Sequence, residues 1–237
     1  MGGRARELIA VIPANYDPNR PYSLVVAFHG RTNSSAQARA YFGLERAMSN
    51  TIFVYPSGLR QGKGYSWADS GDPPDALRDY AFVDAVVQTL SAAYCLAPGR
   101  VFVVGHSLGA YFANSVACAR PRVVRAVASL AGGFVGSQCR GRVAAMILHN
   151  PKDRLVAVAQ GAAARDVFRA VDRATGPAAP VTNPLLNMFR CVQYGAAPDP
   201  VLWCPHPFDT RYDGSYYPHT WPPRTAEAIA MFFAALP

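Results

Sequence analysis

A serine hydroxyl becomes a useful nucleophile only when it is lifted clear of the backbone and given a base. Gly105-His106-Ser107-Leu108-Gly109 has the form of a turn that does this lifting. The apolar run Arg100-Val101-Phe102-Val103-Val104 precedes it, and Ala110-Tyr111-Phe112-Ala113-Asn114-Ser115-Val116-Ala117 follows. That order predicts strand, sharp turn and helix, with Ser107 at the apex. Glycines two residues either side let the strand and the helix approach closely. The bare pattern is common by chance, and the bland alternative is a tight structural turn. The flanking strand and helix patterns are what favour a nucleophile.

A serine of this kind is followed in the chain by an acid and then by a histidine. Met146-Ile147-Leu148-His149-Asn150-Pro151-Lys152-Asp153 reads as strand, turn and carboxylate, so Asp153 is the expected acid; its alternative role is to cap the helix that follows. Asp166 and Asp172 look like helix-surface residues, and Asp199, Asp209 and Asp213 are weaker loop candidates. Beyond Asp153 only His206 and His219 can be the base. His219, in Tyr217-Pro218-His219-Thr220-Trp221-Pro222-Pro223 just before the last helical pattern, is the expected one, and His206 directly after the last strand is its competitor.

The oxyanion of an acyl-transfer intermediate needs N–H donors. The Leu108 N–H, next to the nucleophile, is one; Arg31, in Phe28-His29-Gly30-Arg31-Thr32, is expected to supply the other, with Thr32 as the alternate. His29, His106 and His149 are expected to be structural. Thr32, Tyr65, Trp67, Trp203 and Trp221 are candidate substrate contacts because their segments should border the cleft; ordinary packing is the competing explanation for each ring. No metal-ligand spacing and no nucleotide fingerprint is present, and Gly62-Lys63-Gly64 lacks the full phosphate-loop pattern, so no cofactor and no metal is expected.

These side chains must be held by a scaffold. Apolar and β-branched runs at residues 8–12, 23–28, 51–55, 101–104, 124–130, 143–148 and 201–203 alternate with helical patterns at 36–48, 80–94, 107–119, 156–171 and 225–236. Several runs are continuous rather than alternating, as in parallel strands buried on both faces, so the fold class is α/β with a mostly parallel sheet and helices on both sides. Residues 56–77 and 175–200 carry no clear pattern and read as binding loops. The connection between residues 130 and 143 is too short for a large lid domain, which leaves an open cleft suited to bulky or polymeric substrates.

With 237 residues, 51% hydrophobic and 16% charged, one globular domain spanning 1–237 is expected, as a monomer. No apolar run is long enough for a membrane span. The net charge of +8 is scattered without a basic stripe, so neither nucleic acid nor membrane is an expected partner. Of five cysteines, Cys191 and Cys204 flank a Pro/Gly-rich segment and are placed to close it. Cys95 and Cys118 should both lie at the far side of the sheet from Ser107, so a bridge between them is open, leaving Cys139 over. The cysteines favour an extracellular life over buried free thiols; the first residues lack the apolar stretch of a signal peptide, so either a signal has been removed, as the extracellular expectation requires, or the protein is cytoplasmic.

The chain resembles the α/β-hydrolases of carbohydrate esterase family 1, the feruloyl esterases and the polyhydroxybutyrate-depolymerase-like proteins. The resemblance is carried by Leu24 to Arg31, Ser66-Trp67, the helix from Asp79 to Val87, Tyr94 to Ala110, Ser129 to Gly133, and His219 to Pro222, and it covers most of the chain in order. It implies Ser107, Asp153 and His219 as a triad, an extracellular role and ester substrates. Depolymerase-like members commonly have cysteine after the His-Gly pair, where this chain has Arg31. The expected activity is therefore a cofactor-free serine esterase acting on feruloyl esters of plant cell-wall polysaccharide. Acetylated xylan and polyesters are the next substrates, and peptidase or acyltransferase chemistry on the same triad is a further enzyme reading. A carbohydrate-binding protein on a retired hydrolase scaffold is the non-enzyme alternative.

Overall fold

A computed structural model describes residues 5–67, 73–136, 139–196 and 198–237. The strands are β1 (Leu8–Val11), β2 (Tyr22–Phe28), β3 (Thr51–Pro56), β4 (Leu59–Gln61), β5 (Gly64–Ser66), β6 (Leu96–His106), β7 (Val124–Leu130), β8 (Ala144–Leu148), β9 (Ala179–Pro180), β10 (Val192–Tyr194) and β11 (Val201–Cys204). The α-helices are α1 (Ser35–Phe42), α2 (Pro73–Ala93), α3 (Leu108–Ala119), α4 (Val158–Val171), α5 (Pro184–Met188) and α6 (Thr225–Ala234). Nine strands form one sheet in the order β1-β3-β2-β6-β7-β8-β11-β10-β9. Its centre, from β3 through β11, is parallel, and the edges are antiparallel, β1 on β3 and β10 and β9 beyond β11.

The continuous apolar runs follow from this arrangement, because both faces of the parallel strands are covered and alternate residues feed different cores. Val25, Ala27, Phe102 and Val104 point to the side of α1 and α6, where Ile229, Phe232 and Phe233 pack. Leu24, Val26, Phe28 and Val103 point to the other, where α2, α3 and α4 bring Val83, Phe112, Val116 and Phe168. Burying a side chain such as Phe102 or Leu24 contributes roughly 1.5–3 kcal/mol each.

Local chemistry sets several boundaries differently from the sequence expectation. The 36–48 pattern stops at Phe42, because Gly43 takes the left-handed conformation (φ 63°) and a 3-10 turn, Leu44–Arg46, follows. Ser34 and Gln37 form a capping box at the start of that helix. The 80–94 pattern begins earlier, at Pro73, since proline is tolerated in a first helical turn where its missing N–H costs nothing. Within 56–77, β4 and β5 form a hairpin that turns at Gly62 (φ 57°); residues 68–72 of that segment lie outside the described residues. The 175–200 segment holds β9, α5 and β10, with residue 197 outside the description, as are 137 and 138 in the connection from 130 to 143.

The disulfides are Cys118–Cys139 and Cys191–Cys204, with Cys95 free. The Cys95–Cys118 possibility is therefore corrected. Cys95 is fixed beside β2, where its carbonyl accepts from the Tyr22 N–H (2.9 Å) and its N–H donates to the Tyr16 hydroxyl (2.9 Å). Cys118 instead faces the returning chain, whose Arg140 N–H donates to the Cys118 carbonyl at 2.8 Å.

Candidate active site

Ser107 stands between β6 and α3 with φ 57° and ψ −124°, a conformation rarely adopted by a residue with a side chain. The surroundings hold it there. Its N–H donates to the Leu130 carbonyl (2.9 Å), and its own carbonyl accepts from the N–H groups of Ala110 (2.9 Å) and Tyr111 (3.2 Å). Glycine is required on both sides: a Cβ on Gly105 would collide with the Gly109 carbonyl, and one on Gly109 with the Phe28 carbonyl.

Asp153 follows β8 on a tight turn closed by its N–H to the Asn150 carbonyl (3.0 Å). One carboxylate oxygen accepts from the N–H groups of Leu155 (2.9 Å) and Val156 (3.1 Å). The other accepts from His219 Nδ1 at 2.6 Å. His219, in the connection between β11 and α6, is 6% exposed, and its Nε2 lies 2.8 Å from Ser107 Oγ. A carboxylate can only accept, so Nδ1 carries the proton and Nε2 is left to accept from the Ser107 hydroxyl. Burial pushes the Asp153 carboxyl up, but the hydrogen bond from His219, the Val156 N–H, the electrostatic pull of the His219 ring on the carboxylate and the Leu155 N–H together hold it below the ordinary value.

The loop after β2 comes close to the serine. A Cβ on Gly30 would lie 3.4 Å from Ser107 Cβ, so this glycine sets the approach. His29 clamps the loop: its Nε2 accepts from the Gly58 N–H (2.9 Å) while Nδ1 faces the Gly30 carbonyl (2.7 Å), and the Trp67 indole donates to its carbonyl (2.9 Å). Burial drives His29 down to about 4, against the Gly30 hydrogen bond, so it stays neutral. The Thr32 N–H donates to the Tyr65 carbonyl (2.8 Å), which takes it out of contention as an oxyanion donor. The N–H groups of Arg31 and Leu108 have no acceptor among the described residues, and both residues line the cavity onto which Ser107 opens.

The remaining histidines surround this group; among the described residues none hydrogen-bonds Ser107 or Asp153, and His149 Nε2 comes within 3.6 Å of the Asp153 carboxylate. His106 packs 5.1 Å from the His219 ring, and burial, then the neighbouring imidazole, pushes it down to about 3. His149 Nε2 lies 2.9 Å from the Val156 carbonyl, and burial lowers its pKa. His206 is fully buried, with burial and then His149 pushing it down to about 4, and its ring packs with Phe189 and Phe208. It makes no hydrogen bond to the serine or to Asp153, whose partner is His219.

Two cavities meet at His219. The first, about 780 Å³, opens over Ser107 and is walled by Tyr80, Tyr111, Phe112, Phe134, Leu155 and Val156. The second, about 800 Å³, lies on the other side of His219 toward the start of α6. Trp221 lines this second cavity. Thr32, Tyr65, Trp67 and Trp203 line neither. Trp67 is in the core, stacked on Phe112 at 4.9 Å; Trp203 is buried under Arg165; the Tyr65 hydroxyl reaches out to Glu7. Tyr111 was reachable from sequence, since it follows Ser107 by one helical turn and so shares its face. Phe134, Leu155 and Tyr217 carried no such signal, because they sit in loops whose course the periodicity does not fix.

A mostly parallel sheet with a serine on a strand–helix turn, an acid after a later strand and a histidine before the last helix is the architecture of an α/β-hydrolase. The chain belongs to the family described as putative esterase, whose model matches residues 2–215 and so ends before His219. A probable feruloyl esterase C of Aspergillus niger is 34% identical over 143 residues, which covers 57% of this chain and 49% of that protein. Feruloyl esterase D of Neurospora crassa is 30% identical over 183 residues, covering 71% and 60%. The chain thus spans about half to three-fifths of the length of these curated relatives. The crystal structure of esterase PE8 has a TM-score of 0.58 and 21% identity, covering 70% of this chain and 86% of that one, and shows the shared fold.

Proposed function

We propose that the chain is a serine esterase whose triad is Ser107, His219 and Asp153 and whose substrates are hydroxycinnamoyl esters of cell-wall polysaccharide. The observation that carries this reading is the continuous hydrogen-bonded line from Asp153 through His219 to Ser107, at 2.6 and 2.8 Å.

His219 Nε2 takes the Ser107 proton as Oγ attacks the ester carbonyl. The oxyanion is held by the N–H groups of Arg31 and Leu108. The imidazolium, stabilised by the ionised Asp153, returns its proton to the departing alcohol oxygen. Water then attacks the acyl-enzyme, giving its proton to His219, and the acid leaves as Ser107 is reprotonated. The aromatic wall of Tyr80, Tyr111, Phe112 and Phe134 suits a flat phenolic acyl group, and the names of the relatives point the same way. The two disulfides support an oxidising, extracellular workplace.

Initial rates on methyl ferulate, acetylated xylan, p-nitrophenyl acetate and a soluble polyester oligomer test the reading. It calls for ferulate turnover well above the rest. Turnover of acetate or polyester with none of ferulate would reject the acyl assignment, and no turnover of any ester would reject the esterase.

A further inference from the structure

We propose that the second cavity is a subsite for an anionic saccharide, so that the alcohol half of the ester is a sugar chain carrying uronic-acid carboxylates. The inference rests on the esterase reading, which fixes which side of His219 is which. The acyl group is bonded to Ser107 Oγ and its oxyanion faces Arg31 and Leu108, all of which line the first cavity. The leaving alcohol must receive its proton from His219 Nε2, so the rest of that alcohol extends past His219. His219, His106, Asn33 and Tyr217 line both cavities, and the second lies directly beyond them.

The chemistry of that second cavity differs from the first. Arg46, Arg211 and Arg224 line it, with Glu227 as the opposing charge. The other carboxylates nearby are already engaged: Glu45 with Arg39 (2.7 Å), Asp209 with Lys152 (2.8 Å), and Asp213 with the Ser215 N–H and hydroxyl (2.9 and 2.6 Å). The Arg211 guanidinium carbon sits over the Tyr217 ring, 3.8 Å from its centre, and a guanidinium held on a ring face can still donate N–H groups to a ligand. Arg224 contradicts its local setting twice. It is a non-glycine residue at φ 65°, and it puts a cation at the positively polarised start of α6, whose first turn holds Glu227; among the described residues its guanidinium reaches only the Met188 sulfur, at 3.9 Å. An anion in the cavity would relieve the charge conflict, and a position that breaks local rules in this way marks a functional site.

Rings accompany the cations. Trp221 lines the cavity, packed edgewise against Tyr41 and tilted on Phe42. Tyr212, on the turn between the bridged residues Thr210 and Tyr216, is fully exposed at 103% and also lines it. A fully exposed ring beside arginines has no packing to explain it, whereas a pyranose ring and its carboxylate use both kinds of group.

Calorimetry tests the subsite with three probes of matched length: an oligogalacturonate, a neutral xylo-oligosaccharide and oligoglutamate. The galacturonate should bind about tenfold or more tighter than either control at low salt, and salt should weaken it. Arg46→Gln with Arg211→Gln should remove that preference, and Tyr212→Ala should weaken galacturonate more than glutamate. Equal binding of the neutral sugar overturns the charge argument. Equal binding of glutamate overturns the saccharide. Methyl ferulate turnover by the same preparation separates the two levels. Turnover without galacturonate preference overturns the subsite alone; galacturonate binding by a preparation that turns over none of the four esters of the panel overturns the esterase reading and leaves the saccharide site standing without its ester.

Discussion

The floor of the site and its walls are built on different physical terms. The floor is the carboxyl edge of the sheet: Ser107 after β6, Asp153 after β8 and His29 after β2, all held by backbone hydrogen bonds and close contacts with Gly105, Gly109 and Gly30. The walls are side chains from loops and helix starts, among them Phe134, Leu155, Arg211 and Trp221. A floor of this kind tolerates almost no change in position, since misplacement by about 1 Å can cost a hundredfold in rate. Walls can exchange residues and alter the substrate while the chemistry persists. The two cavities on either side of His219 express that freedom: both carry rings, but Arg31 is the arginine of the first while Arg46, Arg211 and Arg224 line the second.

Breaking the floor should have the largest effect. Ser107→Ala is expected to lower kcat on methyl ferulate by about 10⁴-fold or more with the circular dichroism spectrum retained, and His219→Ala should match it. His206→Ala should keep the Ser107–His219 hydrogen bond and with it ester turnover; a dead His206→Ala with an active His219→Ala would reassign the base.

The clip beneath the floor comes next. Cys191–Cys204 closes a loop of sequence separation 13 and ties the end of β11, so replacing both by serine should cost about 3 kcal/mol in urea unfolding. Acid should weaken the fold as well. The folded values of His29 and His206, about 4, lie below the ordinary 6.5. Between those limits the unfolded chain binds more protons, so stability present above pH 6.5 is lost as pH falls toward 4, by up to about 3 kcal/mol per histidine. A urea midpoint that is flat across that window would show these imidazoles to be solvated. Asp172 works in the opposite direction. Burial raises its carboxyl to about 7, so the folded chain binds more protons above 3.8 and stability falls as pH rises toward 7. Asp172→Asn should therefore raise the melting temperature more at pH 8 than at pH 4.

Changing a wall should have the smallest effect. Phe134→Ala is expected to raise KM for methyl ferulate about tenfold and to raise KM for p-nitrophenyl acetate less, because the small acyl group does not reach the ring. Equal changes for both esters would mean that Phe134 supports the floor rather than the acyl group.

The same division explains what could be read from the sequence. Ser107 is marked by its two glycines and by the strand and helix either side, all of them local features. Asp153 and His219 are marked by chain order and by the elements they follow or precede. The walls are only partly legible, because exposure of a ring is not local: Trp221 lines a cavity as expected, whereas other rings do not. Trp67 looks like a cleft residue in a Gly/Ser segment, but the β4–β5 hairpin turns it into the core against Phe112. The disulfide partner of Cys118 depended on where the chain returned after β7, which no periodicity records. Tyr212 and Arg211 lie on a turn whose pairing, Thr210 with Tyr216, is tertiary information.

The most direct test is to react the protein with a chromogenic serine-directed phosphonate and map the label by peptide mass spectrometry while following ester hydrolysis. The account predicts one label per chain, on Ser107, with activity lost in proportion to labelling and no incorporation into Ser107→Ala. A label on another residue, or full activity with Ser107 completely modified, would contradict it.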